Sequence, residues 1–383
     1  MTKFLLLKGN SQYNVLRYWT DALAVGFEKI GVEADVLDLR FVDDHIINKY
    51  LKNNYDAVIA FNGYLKENEA FSNFLNCPYI YLLIDHPIDH LGRIRNLRPG
   101  DILTLMDRND VNNLYHFGYD FENTYLLPHA AIELSLEKEE KSIDILVSGT
   151  YSNYSQYMNF IEGQSPILFN ICKEVIDSCL EDSSKYYIDE FLYSFEKRGL
   201  PIKLRINENP EIIKIVRVIG RYLYSINRLR VITALAEEGM TIDIFGNGWE
   251  NSPLANYPNV RLHKPVNYWQ TQKLMRQSKI VLSFQALLRD GTHERVFAGM
   301  AANSVVVTNE TPYLKELFQS EKELIFYNFN DLGLMVQNVR NLLHDEQYRE
   351  AISDAARQAI VGNHTFNQRA QQIVDIYNDV YNK

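Results

Sequence analysis

Short apolar runs bounded by polar or glycine-containing turns recur along this chain, and between them lie longer stretches with apolar residues at every third or fourth position. Residues 3–7 read as a buried strand, 15–30 as an amphipathic helix closed by Gly31, and 33–39 as a second strand. Further strands are predicted at 57–61, 79–84, 102–106 and 124–127. Short apolar runs of this kind suit the interior of a parallel sheet, and their alternation with helical periods marks βαβ units. Pro128 halts the series, and the charged run 133–141 suits an inter-domain linker.

A second series opens at 143–147 and is followed by the turn Ser148-Gly149-Thr150. From about 154 to 224 the pattern is helical throughout, which reads as an insertion. Alternation resumes with a helix at 231–238, strands at 241–245 and 260–263, and a helix at 268–278. A strand at 280–284, a short helix from about Glu294, and strands at 304–308 and 323–327 follow. Helices at 332–343, 346–360 and 366–381 close the chain. The expected fold is α/β: two Rossmann-like domains, 1–132 and 142–365, face a central cleft, with the helical insertion in the second.

The length of 383 residues fits about two domains at roughly 100–200 residues each. A hydrophobic share of 46% gives each a core. The net charge of −10 argues against a nucleic-acid binder, which would carry a basic surplus, yet leaves room for a local cationic pocket. Cys77, Cys172 and Cys179 form no CxxC pair and read as reduced cysteines. No Asp-x-Asp loop offers metal ligands, so no metal site is predicted. The apolar start of the chain is too short for a signal peptide, and nothing approaches the roughly 18 apolar residues of a membrane span. A cytoplasmic protein is expected, and peripheral membrane contact stays compatible with that.

Ligands of open α/β sheets bind beyond the carboxyl ends of the strands, where helix N-termini and backbone amides receive anions. The segment between strands 280–284 and 304–308 places Arg289, Gly291, Thr292, His293 and Arg295 there, a candidate phosphate site. The bland alternative is a solvated loop with Arg295 in a structural ion pair. Gly149 and Thr150 follow the first strand of the second domain and either face phosphates or make a plain turn. Gly246, Asn247 and Trp249 either wall a base pocket or form a turn around a core tryptophan. Asp85, His86 and His90 end the fourth strand; Asp85 first and His86 second are the candidates to take a proton from an acceptor hydroxyl. The same Asp-His-Pro turn also suits a structural cap.

The ordered set 242–249, 260–266, 280–284 and 293–297 resembles the C-terminal half of GT-B glycosyltransferases. It is similar to the bacterial group related to the CgeB spore-maturation proteins and to the C-terminal domains of group 1 glycosyl transferases. The resemblance implies transfer of a sugar from a nucleotide-diphosphate sugar, a UDP-sugar for preference, in bacterial glycan biosynthesis. The acceptor would be a glycan, a lipid-linked glycan or a protein hydroxyl. No metal or other cofactor is implied; the nucleotide-sugar is a co-substrate. The segment holding Lys264 and Val266 would pass the base, and the helix 366–383 would cross back onto the first domain. One departure is plain: the glutamate that many members use for the ribose corresponds to Ala298, with Glu294 one helical turn earlier. Two other readings stay open, a nucleotide-sugar epimerase of the same fold and a non-catalytic protein that binds nucleotide-sugars or glycans.

Overall fold

The computed structural model describes residues 2–41, 43–51, 53–65, 76–133, 139–205, 208–285 and 287–381. Among the described residues, twelve strands form two parallel sheets. The first contains β1 (Lys3–Lys8), β2 (Glu33–Asp38), β3 (Ala57–Phe61), β4 (Tyr79–Leu82), β5 (Ile102–Leu105) and β6 (Thr124–Leu126), in the order β2-β1-β3-β4-β5-β6. The second contains β7 (Ile143–Ser148), β8 (Ile242–Phe245), β9 (Val260–His263), β10 (Ser278–Ser283), β11 (Val305–Asn309) and β12 (Ile325–Tyr327), in the order β12-β11-β10-β7-β8-β9.

Both sheets are doubly wound, so each has a point where consecutive connections leave in opposite directions. That point lies between β1 and β3 in the first sheet and between β7 and β10 in the second. Ligand crevices open beyond the carboxyl ends of the strands at such points. β4 stops two residues before its apolar run ends. Ile84 N–H is no longer paired to a strand and donates instead to Asn62 Oδ1 at 3.1 Å, which turns the chain into the cleft.

The insertion comprises the helices Tyr154–Glu162, Pro166–Glu181 and Tyr187–Glu196 and the first half of a 28-residue helix, Pro210–Glu237. The separate helix expected at 231–238 belongs to the second half of this one. Residues 221–237 contain neither proline nor glycine, so nothing stops the helix and it runs on into the second sheet's first crossover. The insertion also does not pack on the second half alone. Its core of Ile171, Val175, Phe191, Val216 and Ile219 includes Ile88, Leu91 and Phe117 from the first half.

The last helix, Phe366–Tyr381, lies on the first sheet, where Phe366, Ala370 and Ile373 join Trp19, Phe27 and Leu82. Gly26 makes that crossing possible, since a Cβ there would come within 2.7 Å of the Phe366 carbonyl. Arg369 fastens the helix further by donating to the carbonyls of Pro128 and His129, at 2.8 Å each. Residues 134–138 of the expected linker lie outside the described residues.

Candidate functional site

A cavity of about 660 Å³ lies where the two crevices face each other. The first half contributes Asn62, Asp85, His90 and His129; the second contributes Gly149, Thr150, His293, Glu294 and Arg295. Tyr224 and Arg221 close one side from the long helix. The halves touch at its edge, where Thr150 Oγ1 shares a hydrogen bond with Tyr13 OH at 2.6 Å and accepts one from Gln12 Nε2 at 2.8 Å.

Asp85 stands free of the strand with 57% of its side chain exposed to this cavity. Its Oδ2 accepts from Asn62 Nδ2 at 2.7 Å and from His90 Nε2 at 3.2 Å. Asn62 is held by the amide of Ile84 and has φ of 51°, the left-handed conformation that a short amide side chain tolerates. Burial pushes the Asp85 carboxyl up, but the hydrogen bonds from His90 and Asn62 hold it below the usual carboxylate value. At neutral pH it is therefore an ionised acceptor of protons that faces the cleft.

On the opposite side, His293 caps the helix Glu294–Ala301 by accepting the N–H of Arg295 at Nδ1, 3.3 Å away. The His293 ring lies against the Glu294 carboxylate, and Arg295 Nη1 is 3.1 Å from His293 Nε2. Burial would push the Glu294 carboxyl up, yet His293 and Arg295 beside it hold it well below the ordinary glutamate range. Burial keeps His129 neutral, down to about 4, although Glu294 pulls in the other direction.

Gly149 (φ 121°) lets two guanidiniums approach the turn after β7. A Cβ there would be 3.0 Å from Arg295 Nη2 and 3.8 Å from Arg228 Nη2. Arg228 lies behind the turn, buried, and donates to the Thr150 carbonyl at 2.7 Å. Its guanidinium rests over Trp249 at 4.7 Å and its Nε is buried without a hydrogen bond. Neither Arg228 nor Arg295 has a carboxylate oxygen within ion-pair distance among the described residues. A helix N-terminus and two guanidiniums with no carboxylate in ion-pair distance among the described residues, gathered at the crevice between β7 and β10, form a site prepared for an anion.

Other residues singled out in the sequence sit differently. His86 is one correction: Nδ1 accepts the N–H of Ile88 at 3.2 Å and Nε2 meets Tyr186 OH at 2.7 Å. Burial, with Arg221 and Arg217 nearby, pushes it down to about 3, so its nitrogens are committed and it caps the turn Pro87–Asp89. Although His86 and His90 are four residues apart, they turn to different partners. Arg289 is the second correction. Its guanidinium pairs with Asp189 and covers the Tyr186 ring at 5.4 Å, away from the Gly149 turn, because Asp107 holds its backbone N–H at 2.6 Å.

Thr292 is fully buried, and Gly291 forms a bridge with Asp107 of the first half. Trp249 is core, stacked on Tyr151 at 5.0 Å, and its Nε1 donates to the Gly149 carbonyl at 2.8 Å. Gly246 and Asn247 shape the same turn: Tyr151 N–H donates to the Asn247 carbonyl at 2.9 Å. Lys264 is exposed and Val266 half-buried, both past the end of β9. Ala298 is buried among Val281, Val306 and Phe297, so only Glu294 of that helix face reaches the cavity. Arg228 and Asn62 escaped sequence reasoning. Neither left a signal: Arg228 shares its stretch with Arg230, and nothing in the sequence tells the two apart.

Residues 228–375 match the family described as glycosyl transferase-like. No curated protein sequence matches the chain. Among solved structures, Anabaena HepE in complex with UDP and glucose aligns over 99% of this chain and 100% of its own, with 12% identity and a TM-score of 0.58. Sucrose-phosphate synthase from Thermosynechococcus elongatus aligns over all of both chains, with 8% identity and a TM-score of 0.58. AviGT4, a glycosyltransferase of avilamycin A biosynthesis, aligns over 99% and 98%, with 14% identity and a TM-score of 0.55. At these identities the likeness is one of fold. A glycosyl transferase-like segment thus lies in the second half of a chain that shares the two-domain GT-B fold of these structures.

Proposed function

We propose that this enzyme transfers a sugar from a UDP-sugar to an acceptor hydroxyl, of a glycan, a lipid-linked glycan or a protein, without a metal ion. The observation that carries the reading is the convergence of Arg228 and Arg295 on Gly149, opposite an ionised Asp85 in one cavity. Breaking the bond to the anomeric carbon leaves negative charge on the departing diphosphate. The Arg295 guanidinium and the positive end of the helix Glu294–Ala301 meet that charge, and buried Arg228 adds its field from behind the turn. Two fixed guanidiniums supply the countercharge that a divalent ion brings elsewhere. Asp85 takes the acceptor proton, with His90 and Asn62 holding its carboxylate toward the cleft. The uridine reading draws support from HepE, which was solved with UDP and with UDP-glucose.

The test is release of UDP from UDP-glucose and UDP-N-acetylglucosamine in EDTA, with and without an added mixture of glycan, glycolipid and hydroxyl-peptide acceptors. Acceptor-dependent release supports the reading. Turnover without any acceptor supports the epimerase or a hydrolase, and UDP binding with no turnover of any donor supports a binding protein.

A further inference from the structure

The insertion creates a second cavity that the transfer reaction does not use. It measures about 530 Å³, within the roughly 300–1,000 Å³ of ordinary small-ligand pockets. One wall is the insertion's loop 182–187 with Tyr224 and Asn227 of the long helix; the other is the chain just past the ends of β11 and β12. Tyr224, Leu287 and Leu288 line both this cavity and the main one, so the two adjoin.

Its chemistry differs from that of the phosphate site. The cations at its rim are matched: Lys185 reaches Ser178 at 2.7 Å and Glu190 at 3.9 Å, Lys315 reaches Glu310 at 3.3 Å, and Arg289 pairs with Asp189. Among the described residues no unmatched cation is left there for an anion. The groups that remain to meet a ligand are amides and hydroxyls beside rings. Asn227 uses its Oδ1 on Arg230 and keeps its amide N–H groups, the Asn330 side chain makes no hydrogen bond among the described residues, and Tyr224 keeps its hydroxyl. Tyr224, Tyr327 and Phe329 supply aromatic faces. Neutral donors and acceptors beside aromatic surface fit an uncharged, polyhydroxylated ring better than a phosphate, a carboxylate or an acyl chain.

We infer that this cavity is a carbohydrate subsite, which holds uncharged sugar units of an acceptor glycan whose reacting end lies in the main cavity. The inference rests on the proposed transferase reading and makes the acceptor a glycan rather than a small alcohol or a peptide. The experiment is retention of the full-length protein on an array of neutral and acidic glycans, with UDP affinity measured in parallel. Wild-type protein is expected to retain uncharged glycans. Asn330→Trp, which fills the exposed mouth, and Asn227→Ala, which removes an amide, are each expected to weaken that retention at least tenfold. UDP affinity in both variants is expected to stay within twofold of wild type, which also shows that they fold. Absence of neutral-glycan retention, or retention unchanged in both variants, overturns the subsite. Loss of UDP binding by the wild type overturns the donor reading instead, so the two failures are told apart.

Discussion

At the residue scale, Asp85 is an exposed carboxylate, held by Asn62 and His90 and kept ionised by its surroundings. Asp85→Asn keeps the shape and removes the proposed base; kcat is expected to fall by about 10²–10⁴ while UDP affinity holds, since general-base assistance is of that size. Steady-state kinetics with UDP release as readout checks it, and an unchanged kcat contradicts the assignment. His86→Gln is expected to behave differently, lowering thermal stability with little change in kcat per folded molecule, because its nitrogens serve Ile88 and Tyr186. Asp85 was legible in sequence as a polar residue at the end of an apolar strand. The distinction between Asp85 and its neighbour was not, since it depends on which side of the turn each faces. Arg289 and Arg295 likewise looked equivalent in sequence. A carboxylate 182 positions earlier, Asp107, holds the backbone of one of them away from the Gly149 turn.

At the element scale, nearly every strand could be read from the sequence because each is a short apolar run between turn residues, and both sheets are buried. The helix Pro210–Glu237 could not be divided correctly, since an insertion ending inside a helix leaves no punctuation. The turns after β7 and β8 pack backbone on backbone: a Cβ on Gly246 would overlap the Gly149 carbonyl at 2.1 Å. Gly246→Ala is therefore expected to cost about 1–3 kcal/mol, the usual range for overpacking, and to displace the turn that carries Gly149 and Thr150. Urea denaturation reads the first effect and UDP affinity the second. A variant as stable as wild type would show that the two turns are not locked together.

At the scale of the whole molecule, the halves are joined by more than a linker. Arg217 and Arg221 of the long helix pair with Asp89, Arg108 forms a two-pronged ion pair with Glu316 at 2.7 Å, and the last helix returns to the first sheet. His86 and His129 sit at this junction, buried and neutral, pushed down to about 3 and about 4 by burial. In the unfolded chain both would take up protons near pH 6.5. Their folded values are depressed, so their contribution is fully present above that pH and is lost as the pH falls toward the folded values. Two such groups give a slope of up to about 2.7 kcal/mol per pH unit between pH 6 and 4. Urea midpoints across that window check the slope, and a flat profile contradicts the burial of the two rings.

The pairing of halves was foreseeable from two βαβ series, but the bridge was not. It depends on Ile88, Leu91 and Phe117 leaving one half's core for another's. All of these features converge on one claim, that the Gly149 crevice with Arg228 and Arg295 holds a nucleoside diphosphate. Calorimetric titration of UDP into the protein in EDTA tests it most directly, with Arg295→Ala alongside. The account predicts saturable binding at one site, weakened at least tenfold in the variant. Absence of heat from UDP, or equal affinity in the two proteins, would contradict it.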